Sequence, residues 1–209
     1  MRLYSFLDVR LPLWVLFHTY LPLRVQGREN IPSEGPFVFC SNHAAHLDPI
    51  ILGYASLYRR VGFMAKEELF RIPVFGSLIR HWGAFPVRRN QWDETAIQSF
   101  VDHVRGNKPL VVFPEGTRTT TGELLTPKKG VGKLLHMSHA PVVPVYIDGT
   151  FKVWPKGSSF PKPGRLSAII GKPVPLDDLY ALPEEKETYR LVVERVMERI
   201  GALRPTSRG

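Results

Sequence analysis

Short apolar runs alternate with helical periods along most of the chain. The runs PFVFC (36–40), VGFMA (61–65), AFPV (84–87), PLVVF (109–113), VVPVYI (142–147) and RLSAII (165–170) are nearly continuous in hydrophobicity. That is the pattern of strands buried on both faces. Between them, Ile97, Phe100, Val101 and Val104 recur at helix spacing after Asp93. Tyr189, Val192, Val193, Val196 and Ile200 do the same near the end. The alternation predicts an α/β fold, with a central, mostly parallel sheet flanked by helices. Ligands bind such sheets where strands end and loops begin.

The N-terminus departs from this pattern. LYSFLDVRLPLWVLFHTYLPL (3–23) is rich in Leu, Phe, Tyr and Trp but is interrupted by Asp8, Arg10, His18, Pro12 and Pro22. Its longest apolar piece, LPLWVLF (11–17), is far shorter than the roughly 20 residues a bilayer span requires. No small-residue cleavage site follows, which argues against a secretory signal. Two short amphipathic helices in the membrane interface fit, with Trp14 and Tyr20 suited to headgroup depth. A helix packed on the protein's own core is the competing reading. The expected division is a membrane-associating segment over 1–22, an α/β domain over 23–203 and a disordered basic tail over 204–209.

Composition narrows the partners. Twenty-eight Lys and Arg against 19 Asp and Glu give a formal charge of +9 across 209 residues. The excess points to an acidic partner: phosphate, nucleic acid or an anionic membrane surface. The single cysteine, Cys40, excludes an internal disulfide framework and fits a reducing compartment. At the end of an apolar run it reads as packing and not as a nucleophile.

Two polar clusters stand at strand ends. In CSNHAAHLDPIIL (40–52), His43 and Asp48 are five residues apart, about 140° around a regular helix, so they meet only if the segment bends. Asp48-Pro49 is also a helix-start signal, under which Asp48 simply caps a helix. In the functional reading, the carboxylate fixes one imidazole nitrogen and the other takes a proton from an alcohol. His43, His46 and Asp48 together resemble a metallohydrolase cluster in composition but not in spacing.

In VVFPEGTRTTTGEL (111–124), Gly116 permits a tight turn with backbone N–H groups exposed. Thr117 adds a hydroxyl, Arg118 a planar fork for phosphate, and Glu115 orients that arginine or holds the loop. A solvated turn is the plain alternative. Arg88, Arg89 and Lys66, all following apolar runs, could close on the same anion, and solvated surface cations are the plain alternative.

These blocks in order resemble the glycerolipid acyltransferase family, most closely the bacterial lysophosphatidate acyltransferases. Asn42-His43 with Asp48 resembles the family's Asn-His-x4-Asp block, GAFPVRR the second with Arg89, FPEGTR the third, and VVPVYIDG the fourth around Pro144. The likeness spans about residues 20 to 175. Arg88 stands where an acidic residue is frequent, and Ala45 where a small polar one is.

The resemblance implies that His43, oriented by Asp48, deprotonates the hydroxyl of a lysophospholipid, which attacks an acyl thioester of coenzyme A or acyl carrier protein. Glu115, Gly116, Thr117 and Arg118 would hold the acceptor's phosphate, helped by Arg89 and Lys66, with Asn42 and Pro144 in support. No metal, no cofactor and no nucleic acid are implied. The implied place is the cytoplasmic face of the cell membrane, as a peripheral or monotopic protein. The competing classes are a hydrolase, metal-dependent through His43, His46 and Asp48 or acting as an esterase, though no Gly-x-Ser-x-Gly elbow occurs, and a non-catalytic membrane-surface module.

Overall fold

The computed structural model describes residues 4–56, 59–73, 75–81, 83–87 and 94–205. Its strands are β1 (Leu23–Gln26), β2 (Val38–Ser41), β3 (Gly62–Lys66), β4 (Ala84–Val87), β5 (Leu110–Val112), β6 (Val142–Asp148) and β7 (Leu166–Ile170). The longer helices are α1 (Tyr4–His18), α2 (Asp48–Ala55), α3 (Phe75–His81), α4 (Glu94–Arg105), α5 (Lys129–Ser138) and α8 (Lys186–Ala202). The short α6 (Thr150–Val153) and α7 (Asp177–Tyr180) complete the order.

The strands form one sheet in the order β1-β7-β6-β2-β5-β3-β4, and every neighbouring pair is parallel except β6 with β7. Alternate side chains of the central strands point to opposite faces. Val38, Cys40, Leu110, Val112 and Val142 pack under α4, α5 and α8. Phe37, Phe39, Val111, Val143 and Val145 pack on the other side, against α1 and α2. Both helical periods read from the sequence occur, and their apolar positions are buried: Ile97, Phe100, Val101 and Val104 in α4, and Val192, Val193, Val196 and Ile200 in α8. Helices α5 and α8 approach closely because Gly132 lacks a side chain: a Cβ there would lie 1.8 Å from the Tyr189 carbonyl oxygen.

Two features depart from the sequence reading. Strand β1 was not expected, and β7 runs against β6. Only 17 residues separate Asp148 from Leu166, and they contain a four-residue helix. A parallel return needs a crossover long enough to carry the chain back across the sheet. The connection instead stays at the edge where β6 ends, and β7 starts there, with Asp148 opposite Ser167. Strand β1 runs parallel to β7, Leu23 opposite Leu166, so the end of α1 also reaches this edge.

The N-terminal segment also differs from expectation. Residues 4–18 form a single helix with Pro12 inside it, not two helices. Phe17 and Leu21 are buried in the same cluster as Phe37 and Val143, so this segment contributes to the domain core. Over residues 11–18 its outer side exposes Leu11, Trp14 and Val15, with His18 beside them. Among the described residues no helix is long and apolar enough to cross a membrane. At the other terminus, Arg204, assigned by sequence to a disordered tail, makes a two-pronged ion pair with Glu123, at 2.7 and 3.1 Å.

Candidate active site

The chain leaves β2 at the centre of the sheet, between β5 and β6, and the loops after all three strands emerge at one edge. Here successive connections depart to opposite sides, which opens a crevice beyond the strand ends. The loop after β2 carries residues 42–47, and the loop after β5 carries 113–128.

Asn42 anchors the first loop. Its side-chain amide donates to the Ile147 carbonyl at 2.8 Å, and its side-chain oxygen accepts from the Ile147 N–H at 2.7 Å. The asparagine thereby takes the part of a further strand residue and ties β2 to β6. Beyond it the chain folds around a carboxylate. One oxygen of Asp48, Oδ2, accepts from the Ala44 N–H at 2.6 Å and the Ala45 N–H at 2.8 Å, and pairs with His43 Nδ1 at 2.8 Å.

The bend that the five-residue spacing required is therefore present. The plain capping reading fails: α2 begins at Asp48 itself, its N-cap is Leu47, and the carboxylate reaches back into the loop. Asp48 is fully buried, whereas the His43 side chain keeps 12% of its surface exposed. Since a carboxylate accepts, Nδ1 carries the proton and Nε2 presents a lone pair. The imidazole also stacks on Phe113, with ring centroids 4.0 Å apart and 16° between planes. It is thus held by one hydrogen bond and one flat contact.

Glu115 has a different role from the phosphate-binding one implied by the resemblance. It is 1% exposed. One oxygen accepts the His43 N–H at 2.8 Å and the other accepts the Leu125 N–H at 2.9 Å. A buried carboxylate with both oxygens engaged does not contact an anion; it clamps the second loop to the first. Burial pushes its carboxyl up from the usual range, the two N–H donors draw it back down, and the nearby Asp48 charge adds a smaller upward push. The Thr119 N–H donating to the His43 carbonyl, at 2.9 Å, makes a second tie between the loops.

The turn at Gly116 forms with φ of 67°. Its N–H closes that turn on the Phe113 carbonyl at 2.9 Å, so this amide is not exposed for an anion as expected. Thr117 is exposed and Arg118 half-buried at the same edge. Lys66 ends β3 at this edge too, since β3 is parallel to β5, but its side chain lies outside the described residues, as do Arg88 and Arg89. Pro144 is buried inside β6, where a Cβ on Gly171 would lie 3.0 Å from its ring; it shapes the strand and contributes no polar group.

The competing chemistries find less support in the geometry. His46 turns its ring to Trp154, centroids 5.8 Å apart, while His43 Nδ1 is engaged by Asp48. Among the described residues no group of three His, Cys, Asp or Glu is placed to hold a metal ion. Cys40 and Ser41, the nucleophilic side chains nearest the pair in sequence, are fully buried, and burial pushes the Cys40 thiol far up. The pair can therefore activate an alcohol brought to it, and the buried Cys40 and Ser41 are not placed to accept an acyl group.

This chain belongs to the acyltransferase family, whose model, described as Acyltransferase, matches residues 22–148. Among individual proteins, it is 32% identical over 181 residues to a 1-acyl-sn-glycerol-3-phosphate acyltransferase of Bacillus subtilis, covering 87% of each chain. A protein of that name from Limnanthes douglasii is also 32% identical, over 85% of this chain and 62% of the longer plant protein. In three dimensions the fold is similar to the crystal structure of PlsC, a 1-acyl-sn-glycerophosphate acyltransferase of Thermotoga maritima. The TM-score is 0.73 at 28% identity, covering 99% of this chain and 88% of the other.

Proposed function

We propose that this acyltransferase moves a fatty acyl group from a thioester donor to the free hydroxyl of lysophosphatidate or a closely related lysophospholipid, in phospholipid biosynthesis. The observation that carries the reading is the His43–Asp48 pair at 2.8 Å, fixed in a buried turn at the end of the central strand. His43 Nε2 removes the proton of the acceptor hydroxyl as its oxygen bonds to the thioester carbonyl carbon. The tetrahedral intermediate then collapses, the carbon–sulfur bond breaks, and the proton passes from Nε2 to the departing thiolate. Asp48 supports the imidazolium formed between these steps. No covalent acyl-enzyme, metal or cofactor is required; coenzyme A or acyl carrier protein enters as part of the donor substrate. Arg118 and Thr117 meet the acceptor's phosphate, with Arg89 and Lys66 assisting.

An acceptor with one acyl chain resides in a bilayer, and the apolar outer side of α1 supports docking there. Trp14, 51% exposed and stacked on His18, presents hydrocarbon to the surroundings together with the exposed Leu11 and Val15. The assignment is peripheral or monotopic, at the cytoplasmic face, where thioester donors are made.

The test is product mass from a panel of lysophospholipid acceptors and acyl thioesters. Wild-type protein should form phosphatidate from lysophosphatidate. His43→Ala should lose on the order of 10²–10⁴ in turnover while retaining its fold. Normal turnover by folded His43→Ala protein refutes the assignment.

A further inference from the structure

We infer that the connection over 154–165 is a second membrane contact, with Phe160 entering an anionic bilayer beside α1. This connection lies at the catalytic edge because β7 runs antiparallel to β6. Phe160 is 82% exposed, the most exposed large hydrophobic among the described residues. A single exposed apolar side chain is ordinary; its surroundings make this one distinctive.

Lys152, Lys156, Lys162 and Arg165 surround it in sequence, and no acidic residue occurs between Asp148 and Asp177. None of these four cations makes an ion pair among the described residues. Exposed hydrocarbon flanked in sequence by exposed cations matches an anionic lipid surface: the ring enters the acyl boundary and the cations meet headgroup phosphates.

The loop is also tied to the segment that follows α1. The Tyr20 hydroxyl donates to the Pro161 carbonyl at 3.0 Å, joining the residue next to Phe160 to the end of the helix. Between the two elements an open cleft of about 290 Å³ is lined by His18, Arg24 and Arg165 together with Phe17, Leu23 and Leu166. Cations beside hydrocarbon suit a phosphate headgroup and the first methylenes of its chains. Trp154, at the start of the loop, faces His46 in the catalytic loop. Two contacts on one edge fix the tilt of the protein and set the crevice against the bilayer, where one contact would leave it free to roll.

An acidic carrier protein could also meet such a patch, but the exposed apolar helix running alongside favours lipid. Because a membrane-resident acceptor is part of the reading above, vesicle binding and turnover are measured separately. Cys40, the single cysteine, is fully buried, so a Phe160→Cys variant can be labelled selectively with an environment-sensitive fluorophore. On phosphatidylglycerol vesicles, the label should shift to shorter wavelength and be quenched by lipids brominated on their chains.

Phe160→Ala should weaken vesicle binding on the order of tenfold. Lys162→Gln with Arg165→Gln should weaken it about twentyfold on anionic vesicles and leave it unchanged on phosphatidylcholine. Trp14→Asp serves as the comparator on α1 and should weaken binding on both. Turnover of a detergent-dispersed acceptor should persist in the Phe160→Ala variant, and His43→Ala should bind vesicles as wild type does. A silent label on protein that has sedimented with vesicles overturns the inference. So does a label that responds to acyl carrier protein and not to lipid, or a fall in detergent-assay turnover as large as the fall in binding.

Discussion

Replacing Asp48 by asparagine exchanges one oxygen for an amide nitrogen at a fully buried position. The consequences for stability and catalysis separate there. Three N–H groups converge on Oδ2, while Oδ1 has no hydrogen-bond partner among the described residues. The asparagine oxygen therefore takes the Oδ2 place, keeps all three donors, and leaves its NH2 in the partnerless position. Bonds to a charged acceptor are stronger than neutral ones by about 1 kcal/mol each, and a buried unpaired NH2 costs about 1–3 kcal/mol. Releasing a buried charge offsets part of that sum, leaving a net loss of roughly 1–3 kcal/mol. Asp48→Ala is harsher. It orphans the Ala44 and Ala45 N–H groups, both in buried residues, at about 1–3 kcal/mol each, which is a sizeable part of a domain's roughly 5–15 kcal/mol.

Turnover should respond in a different proportion. Asp48→Asn retains the imidazole's position but removes the charge that balances the imidazolium. kcat should drop by roughly 10²–10⁴ with KM nearly constant. Urea midpoints at constant m value give the stability change, and saturating acyl transfer from lysophosphatidate gives kcat. Turnover of Asp48→Asn within about threefold of wild type would show that His43 does not depend on the carboxylate. An Asp48→Ala protein as stable as wild type would show that the carboxylate does not organise the turn.

Two further predictions concern the second loop. Glu115→Gln can satisfy only one of the His43 and Leu125 N–H groups. It should lower stability by about 1.5–3 kcal/mol and reduce turnover as the loops part, checked by urea unfolding and initial rates. Burial holds the Glu115 carboxyl above its unfolded value. The proton-linked part of its contribution, separate from the N–H clamp, is therefore full below the ordinary carboxyl range and is lost as pH rises through the folded value, a slope that Glu115→Gln should lack. Arg118→Ala should raise KM for lysophosphatidate by an amount equivalent to about 1.5–3 kcal/mol, and Arg118→Lys should recover only part of it. KM for monoacylglycerol, which has no phosphate, should not move; an equal rise for both acceptors would contradict the phosphate contact.

The sequence determined what is local and periodic. Residues buried on both faces of a strand must all be apolar, so β2 to β7 stood out as runs, and α4 and α8 showed their inward faces at helix spacing. His43 and Asp48 were legible because their spacing is short and the chemistry of a tautomer-fixing carboxylate is specific. Strand β1 was hidden because it is an edge strand, half-exposed, alternating over only four residues.

Tertiary structure decided what depends on groups far apart in the chain. The role of Glu115 rests on the N–H of His43, 72 residues away, and that of Asn42 on Ile147, 105 away. A residue's type states which bonds it can make, but only the fold supplies the partner. The same holds for the N-terminal segment, whose hydrophobicity was evident while its division between core and outer face was not. Phe17 and Leu21 turn inward, and Leu11, Trp14 and Val15 remain outside, because the end of α1 is drawn to the sheet by β1 pairing with β7. That pairing joins residues more than 140 positions apart, a separation over which no periodicity in the chain carries information.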